Sequence, residues 1–460
     1  MRLPVIGFAC IAAALTACTA PVEPIGERGQ GQYVRVVDVP PEFNRKLDLL
    51  FVVDNSETMS PKQQQMLMSF QKLMAHLSNM RGGLPSFHLG VISTDVGVGL
   101  NAVPTCNIAG DAGDLQNKPR FDGCDRPDDA FIRNDGINTN HDGSLEQAFS
   151  CIAPLGTQGC KFEQPLESMR LAIDGFNATN NGFMRDDAAL GVVFLTDEDD
   201  CSVEDSRMFT PDMFGENGTP KFRCFDQGVT CSGDDVRAEG DFTNCAAKED
   251  SKFMPHVSEY ARFLKDIKGG DESQVVVTGI FGQADLVNVA VGIDEQYEIA
   301  PACGGGTGDA AYPAVRLQGF LDEFSRGGQV GNLCGNDGFD VLRTMSKQLR
   351  KSLGTTCLDG NLLDVDLDRA GIQPDCKVFD IAPATSRRPI VQCSVDHAPW
   401  LSAQFPCYRI LAGPESCSDF PGHQLALDVC RGPNATGDWC LENVQPLYTH
   451  TVAECLVNKD

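Results

Sequence analysis

Leu47–Val53 is apolar at every position except Asp48, which predicts a buried strand covered on both faces. A polar turn follows, carrying Asp54, Ser56 and Thr58 at alternate positions. Ser60-Pro61-Lys62-Gln63 then supplies a helix start: a Ser cap, Pro at the first helical position and Gln where a capping box places it. Met66, Phe70, Leu73, Leu77 and Met80 form that helix's apolar stripe at three- and four-residue spacing. Ser86–Ser93 alternates as a strand, and Leu190–Thr196 and Gln274–Phe281 read as buried strands. Helical periodicity covers Phe162–Phe176, Lys252–Ile267, Val315–Phe324 and Gly338–Leu353, and Asn332–Cys334 is a short strand candidate. The alternation predicts an α/β architecture with a mostly parallel sheet and helices on both faces. Three long excursions interrupt it, at 96–159, 201–250 and 282–313. The first two leave the carboxyl ends of strands, where open α/β sheets place their ligands, and loops of such length are functional, stapled or both.

From about Cys357 the pattern changes. Lys377–Ile381, Pro389–Cys393, Cys407–Leu411 and Leu425–Cys430 are short alternating segments between Gly- and Pro-containing turns. With eight Cys from Cys357 to Cys455, residues 357–460 read as a small disulfide-stapled, β-rich domain. At the other end, Arg2 precedes an apolar run from Leu3 to Ala17, the layout of a signal peptide and too short to span a bilayer comfortably. Leu15-Thr16-Ala17-Cys18 resembles a bacterial lipobox, which implies removal of residues 1–17 and lipidation of Cys18. Residues 18–41, rich in Pro, Gly and charge, would then be a flexible tether. Setting aside Cys10 and Cys18 leaves an even number of the 20 Cys, as a disulfide framework in an exported chain requires. No Cys-x-x-Cys pair suggests zinc; Cys106 with Cys124, Cys151 with Cys160 and Cys303 with Cys334 are candidate closures.

Asp54-x-Ser56-x-Thr58 after a buried strand resembles the metal-ion-dependent adhesion site of a von Willebrand factor type A domain, where most members have Ser at the position of Thr58. Ala189-Leu-Gly-Val-Val-Phe-Leu-Thr-Asp197 resembles the family's later strand ending in Asp, and Thr157 is the nearest candidate for its remaining Thr ligand. The resemblance implies a Rossmann-like type A domain over 42–356, with one antiparallel strand near the sheet edge. It also implies Mg²⁺ or Mn²⁺ held by Ser56 and Thr58 directly, with Asp54, Asp197 and Thr157 completing the site. Mg²⁺ takes six oxygens, and few direct carboxylates leave it electrophilic, so a protein partner's acidic side chain can complete its shell. The Cys-bearing insertions, Cys160-Lys-Phe-Glu-Gln-Pro-Leu and the lipobox together resemble extracytoplasmic lipoproteins of myxobacteria-like Gram-negatives.

The net charge of −27 argues against nucleic acid and against anionic lipid surfaces, leaving a lipid anchor as the membrane link. No P-loop, Gly-x-Ser-x-Gly or His-Glu-x-x-His occurs, so nucleotide and hydrolase chemistry lack a starting motif. Asn138-Thr-Asn140-His-Asp142-Gly143 opens like an EF-hand loop but has Phe149 at its twelfth position, so it reads as turn chemistry. Asp364, Asp366 and Asp368 suggest a solvent-facing strand edge. The expectation is a non-enzymatic, lipid-anchored binding protein in the periplasm or at the surface of a Gram-negative-type envelope. A metal-free structural envelope component is the first alternative, and a metal-dependent hydrolase using Asp54, Asp197 and Asp200 is the second.

Overall fold

The protein is described by a computed structural model covering residues 31–459 except 40–44, 79–83, 102, 104–105, 125, 136–137, 211–217, 233–234, 293–294, 305–309, 325–327, 336, 355, 359, 383–386, 394–405, 413–416, 418–424 and 432–449. The signal segment and Cys18 lie outside the described residues, as do Met80 and Cys440.

One sheet has six strands in the order β12 (Gln329–Asn332), β9 (Val275–Phe281), β5 (Ala189–Leu195), β2 (Lys46–Val53), β3 (Ser86–Ser93) and β4 (Ile132–Asn134). Its pairings are parallel except β3 with β4. Alternate residues of β2 enter two cores. Leu47, Leu49, Phe51 and Val53 pack with α1 (Ser60–Ser78), α2 (Leu145–Ile152) and α7 (Val341–Ser352). Leu50 and Val52 pack with α3 (Pro165–Ile173), α5 (Val257–Ile267) and α6 (Val315–Asp322). Phe149 stacks on Phe70 at 4.0 Å between ring centroids and lies 4.8 Å from Phe51, so α2 of the first insertion is packed on the central strand. A complete capping box between Ser144 and Gln147 starts α2.

The largest sheet has seven strands: β1 (Gln32–Val39), β18 (His450–Asn458), β14 (Cys376–Ile381), β15 (Arg387–Gln392), β16 (Cys407–Ala412), β17 (Leu425–Cys430) and β13 (Thr356–Leu358). β15 and β16 pair in parallel and the other pairings are antiparallel. Its end strands β1 and β13 contact one another, so the sheet nearly closes into a barrel. The insertions build smaller sheets of their own. β7 (Gly240–Thr243), β10 (Leu286–Val291) and β11 (Tyr297–Ile299) form one beside α4 (Pro220–Gly228). β6 (Val229–Thr230) pairs with β8 (Ala246–Ala247).

The expectation of a Rossmann-like parallel sheet with helices on both faces and a small β appendage is therefore corrected. The seven described helices share the chain with mixed sheets, the largest of them nearly barrel-shaped, and with eight disulfides among the described residues. The tether assignment is corrected too: residues 32–39 are β1, paired with β18 from Gln32↔Asn458 to Val39↔Thr451. Asp364 makes a single antiparallel bridge with Pro374 and its Oδ1 accepts from Asp366 N, while Asp368 lies in the following turn, so the three acids do not share one strand edge. The helix expected over Phe162–Phe176 ends at Ile173. Gly175, at φ +82°, terminates it in the left-handed conformation, and Phe176 is 90% exposed.

Cys303 and Cys334 are bonded, but the other two candidate closures are replaced by Cys106–Cys160 and Cys124–Cys151. The reason is local. Arg120 N donates to Cys151 O, bringing the 120–124 turn onto α2, while Cys160 leaves on the other side into a small core with Val98 and Phe162. Cys201–Cys224, Cys231–Cys245, Cys357–Cys417, Cys376–Cys455 and Cys393–Cys407 complete the described set. So many bridges mark an oxidising compartment. No described helix is long and apolar enough to cross a membrane. Non-reducing peptide mapping is expected to recover Cys106–Cys160 and Cys124–Cys151; recovery of Cys106–Cys124 would contradict this arrangement.

Candidate cation site at the carboxyl ends of the central strands

β2 and β5 end side by side, and Asp54 N donates to Leu195 O at 2.9 Å, fixing the two following loops against each other. Asp54 is fully buried. Its Oδ1 accepts from Ser56 N at 2.7 Å and its Oδ2 from Thr196 Oγ1 at 2.8 Å. Thr58 Oγ1 donates to Asp197 Oδ2, which also receives the Lys62 ammonium. Asp54, Ser56, Thr58 and Asp197 are thus brought together. Gln63 does not act as a capping residue: its amide joins Asp54 O and Gly156 O, tying the motif to the loop before Cys160. Gly159 lets the loop approach closely there, since a Cβ would stand 2.2 Å from Asn55 Oδ1 and 2.9 Å from the Asn55 backbone O.

Thr157 is half-buried on that same loop, and no hydrogen bond joins its hydroxyl to the cluster. A residue not singled out as a ligand from the sequence, Glu163, is the one bonded into this corner. It is buried at the entry to α3, its Oε2 accepts from Thr94 Oγ1 at the end of β3, and its backbone O accepts from Cys201 N. The available signal was a Glu flanked by Phe162 and Leu166 just before a helix-starting Pro165, a context that buries it.

Burial governs the electrostatics. It pushes the Asp54 carboxyl up to about 7, with the charges of Asp197 and Glu198 adding to the effect. Burial also raises Glu163 well above the ordinary range, reinforced by Asp54 and Glu198. Glu198 is raised by burial and partly pulled back by Lys221. Burial alone would lower Lys221, but Glu198, 2.6 Å away, holds the ammonium above its ordinary value. Lys221 comes from α4 in the second insertion and lies 3.7 Å from the centroid of the Tyr312 ring, which comes from the third. Lys161, Glu163, Glu198, Lys221, Tyr312 and Pro313 are among the residues lining a cavity of about 30 Å³ at this edge, room for one or two waters.

The next two acids have structural roles. Asp199 accepts from Arg316 N and Leu317 N at the start of α6. Asp200 accepts from Leu166 N at the start of α3 and from Arg316 Nε at 3.1 Å, both side chains being fully buried. Removing one partner of such a pair costs about 3–5 kcal/mol. Asp200 is therefore engaged by Arg316 and the α3 terminus.

Three buried oxygens of the cluster have no hydrogen-bond partner among the described residues: Ser56 Oγ, Glu163 Oε1 and Asp197 Oδ1. Orphaned hydroxyl and carboxylate oxygens are the donor set of a hard cation. No three of these carboxylates bring oxygens within 4.8 Å of one another. The spacing therefore fits an ion held by the hydroxyls and reached by some carboxylates through water, not a bare carboxylate cage. The described trio that does converge, Cys393, Cys407 and Cys430, offers no thiolate, because all three are disulfide-bonded.

No protein-family profile matches the chain. No curated protein matches it either. Among solved structures, the pilus adhesin SpaC from Lactobacillus rhamnosus GG, in an open conformation, is similar to it at 9% identity and a TM-score of 0.30. The likeness covers 93% of this chain and 41% of that one, so the chain spans less than half the adhesin's length. At that identity and TM-score it says nothing of function.

The raised Asp54 carboxyl has a pH consequence. The folded chain holds this proton more tightly than the unfolded chain, so the group's contribution to stability is lost as pH rises from 3.8 to about 7. In chelator, the melting temperature of the wild type relative to Asp54→Asn is expected to fall between about pH 4 and about pH 7.5. A difference that stays flat or rises would contradict the burial account.

Proposed function

We propose that the chain is an exported, lipid-anchored binding protein that takes up Mg²⁺ or Mn²⁺ at the Asp54–Asp197 cluster and captures an acidic side chain of a protein partner there. The observation that carries this reading is the trio of buried, orphaned oxygens on Ser56, Glu163 and Asp197, beside the Asp54-x-Ser56-x-Thr58 motif that resembles an adhesion site. A bound ion would supply an electrophilic seat for the partner's carboxylate. The chain's own residues do the rest. Ser56 and Thr58 present neutral hydroxyls, while Asp54, Glu163 and Asp197 present buried carboxyl oxygens, and an ion entering would displace the protons that burial retains on Asp54 and Glu163. Lys161 and Lys221 at the adjoining cavity offset the acidity of the chain and favour an acidic visitor. The disulfides agree with an extracytoplasmic location, and the lipobox at Cys18 supports the anchor.

Calorimetric titration of the mature chain with Mn²⁺ tests the assignment. Asp54→Ala is expected to abolish binding. Glu163→Gln should weaken it by about tenfold or more, because replacing even groups behind the ligands costs roughly 10–100-fold. Thr157→Ala should leave it unchanged. Full affinity in Glu163→Gln with loss in Thr157→Ala would exchange their roles.

A further inference from the structure

Lys62 stands one helical turn after Thr58, yet its ammonium points into the cluster. The side chain is 7% exposed, where an unpaired lysine is rarely tolerated. Its three N–H donors have three acceptors: Asp197 Oδ2, Ala310 O at 2.8 Å and Thr58 O at 3.4 Å. Asp197 Oδ2 is also the acceptor of Thr58 Oγ1. The ammonium therefore sits on the hydroxyl–carboxylate pair that the adhesion-site motif would turn toward an ion. Ala310 belongs to the third insertion. Its neighbour Ala311 bridges to Cys303, which is bonded to Cys334, and Tyr312 N donates to Asp197 O at 2.8 Å. Asp197 and Lys62 thus hold the 310–312 segment together, and that segment carries the Tyr312 ring over Lys221.

We infer that Lys62 is a built-in counter-ion: a divalent cation entering the cluster displaces its ammonium from Asp197 and frees the Ala310 carbonyl of the third insertion. This inference rests on the cation-binding reading above. An ammonium and a divalent ion at the same carboxylate oxygen repel one another across a space with little water to screen them. The site is therefore balanced by Lys62 when empty, and loading it loosens the insertion edge beside the cavity. Ion uptake is in this way coupled to the shape of the edge that a partner meets.

Amine acylation of the full mature chain, read at Lys62 by mass spectrometry, tests this directly. Lys62 is expected to be protected in EDTA and modified roughly tenfold faster at saturating Mn²⁺, while Lys62→Met binds Mn²⁺ tighter by about 5–150-fold, the usual range of such couplings. If wild type binds Mn²⁺ and Lys62 stays protected, or if Lys62→Met binds no more tightly, the counter-ion role is wrong and the cation site stands. If neither protein binds Mn²⁺, both ideas fail together. Should Lys62→Met not fold, acylation of the wild type decides alone.

Discussion

Carboxyl groups sealed from water cannot all ionise unless positive charge lies among them. Asp54, Glu163, Asp197 and Glu198 are in that position, gathered by the ends of β2, β3 and β5 and by the entry to α3. Two lysines, retained protons and, on the reading proposed here, an ion share the task of compensating them. Lys62 arrives on α1 and Lys221 on α4, so one counter-charge comes from the central α/β layer and one from an insertion. Surrounding features serve this arrangement: Gln63 ties the motif to the Gly156 loop, and Asp200 with Arg316 anchors the turn that carries Asp197.

The insertions take part in the site they overhang. Cys201–Cys224 links the loop that carries Asp197 to α4, one turn beyond Lys221, and so keeps that ammonium over Glu198. Cys106–Cys160 holds the loop that leads into Glu163. Each bridge limits how far an otherwise long loop can wander when unfolded, which is where most of its stabilisation arises. The third insertion contributes Ala310 and Tyr312, both bonded to groups of the cluster. β1 does the equivalent service for the other end of the chain by pairing with β18 and touching β13, which nearly closes the seven-stranded sheet.

Periodicity revealed the local elements and missed what depends on distant partners. The strands at 46–53, 86–93 and 275–281 were legible because their apolar runs are short, dense and bounded by turns. β1 was not, since its half-exposed alternation gains meaning only from a strand more than four hundred residues later. The near-barrel was hidden for the same reason, and α2 because it lies inside a stretch rich in turn residues. That Asp54, Ser56, Thr58 and Asp197 come together was readable from a local motif at strand ends. Glu163 was not, because only the fold shows that its carboxylate turns inward to Thr94.

The central claim is that this sealed cluster is a seat for a cation. Anomalous diffraction from crystals of the mature chain grown with Mn²⁺ tests it most directly. The account predicts a manganese peak in direct or one-water reach of Ser56 Oγ, Glu163 and Asp197, absent in Asp54→Ala crystals. Manganese found only elsewhere, with Lys62 still seated on Asp197, would contradict it.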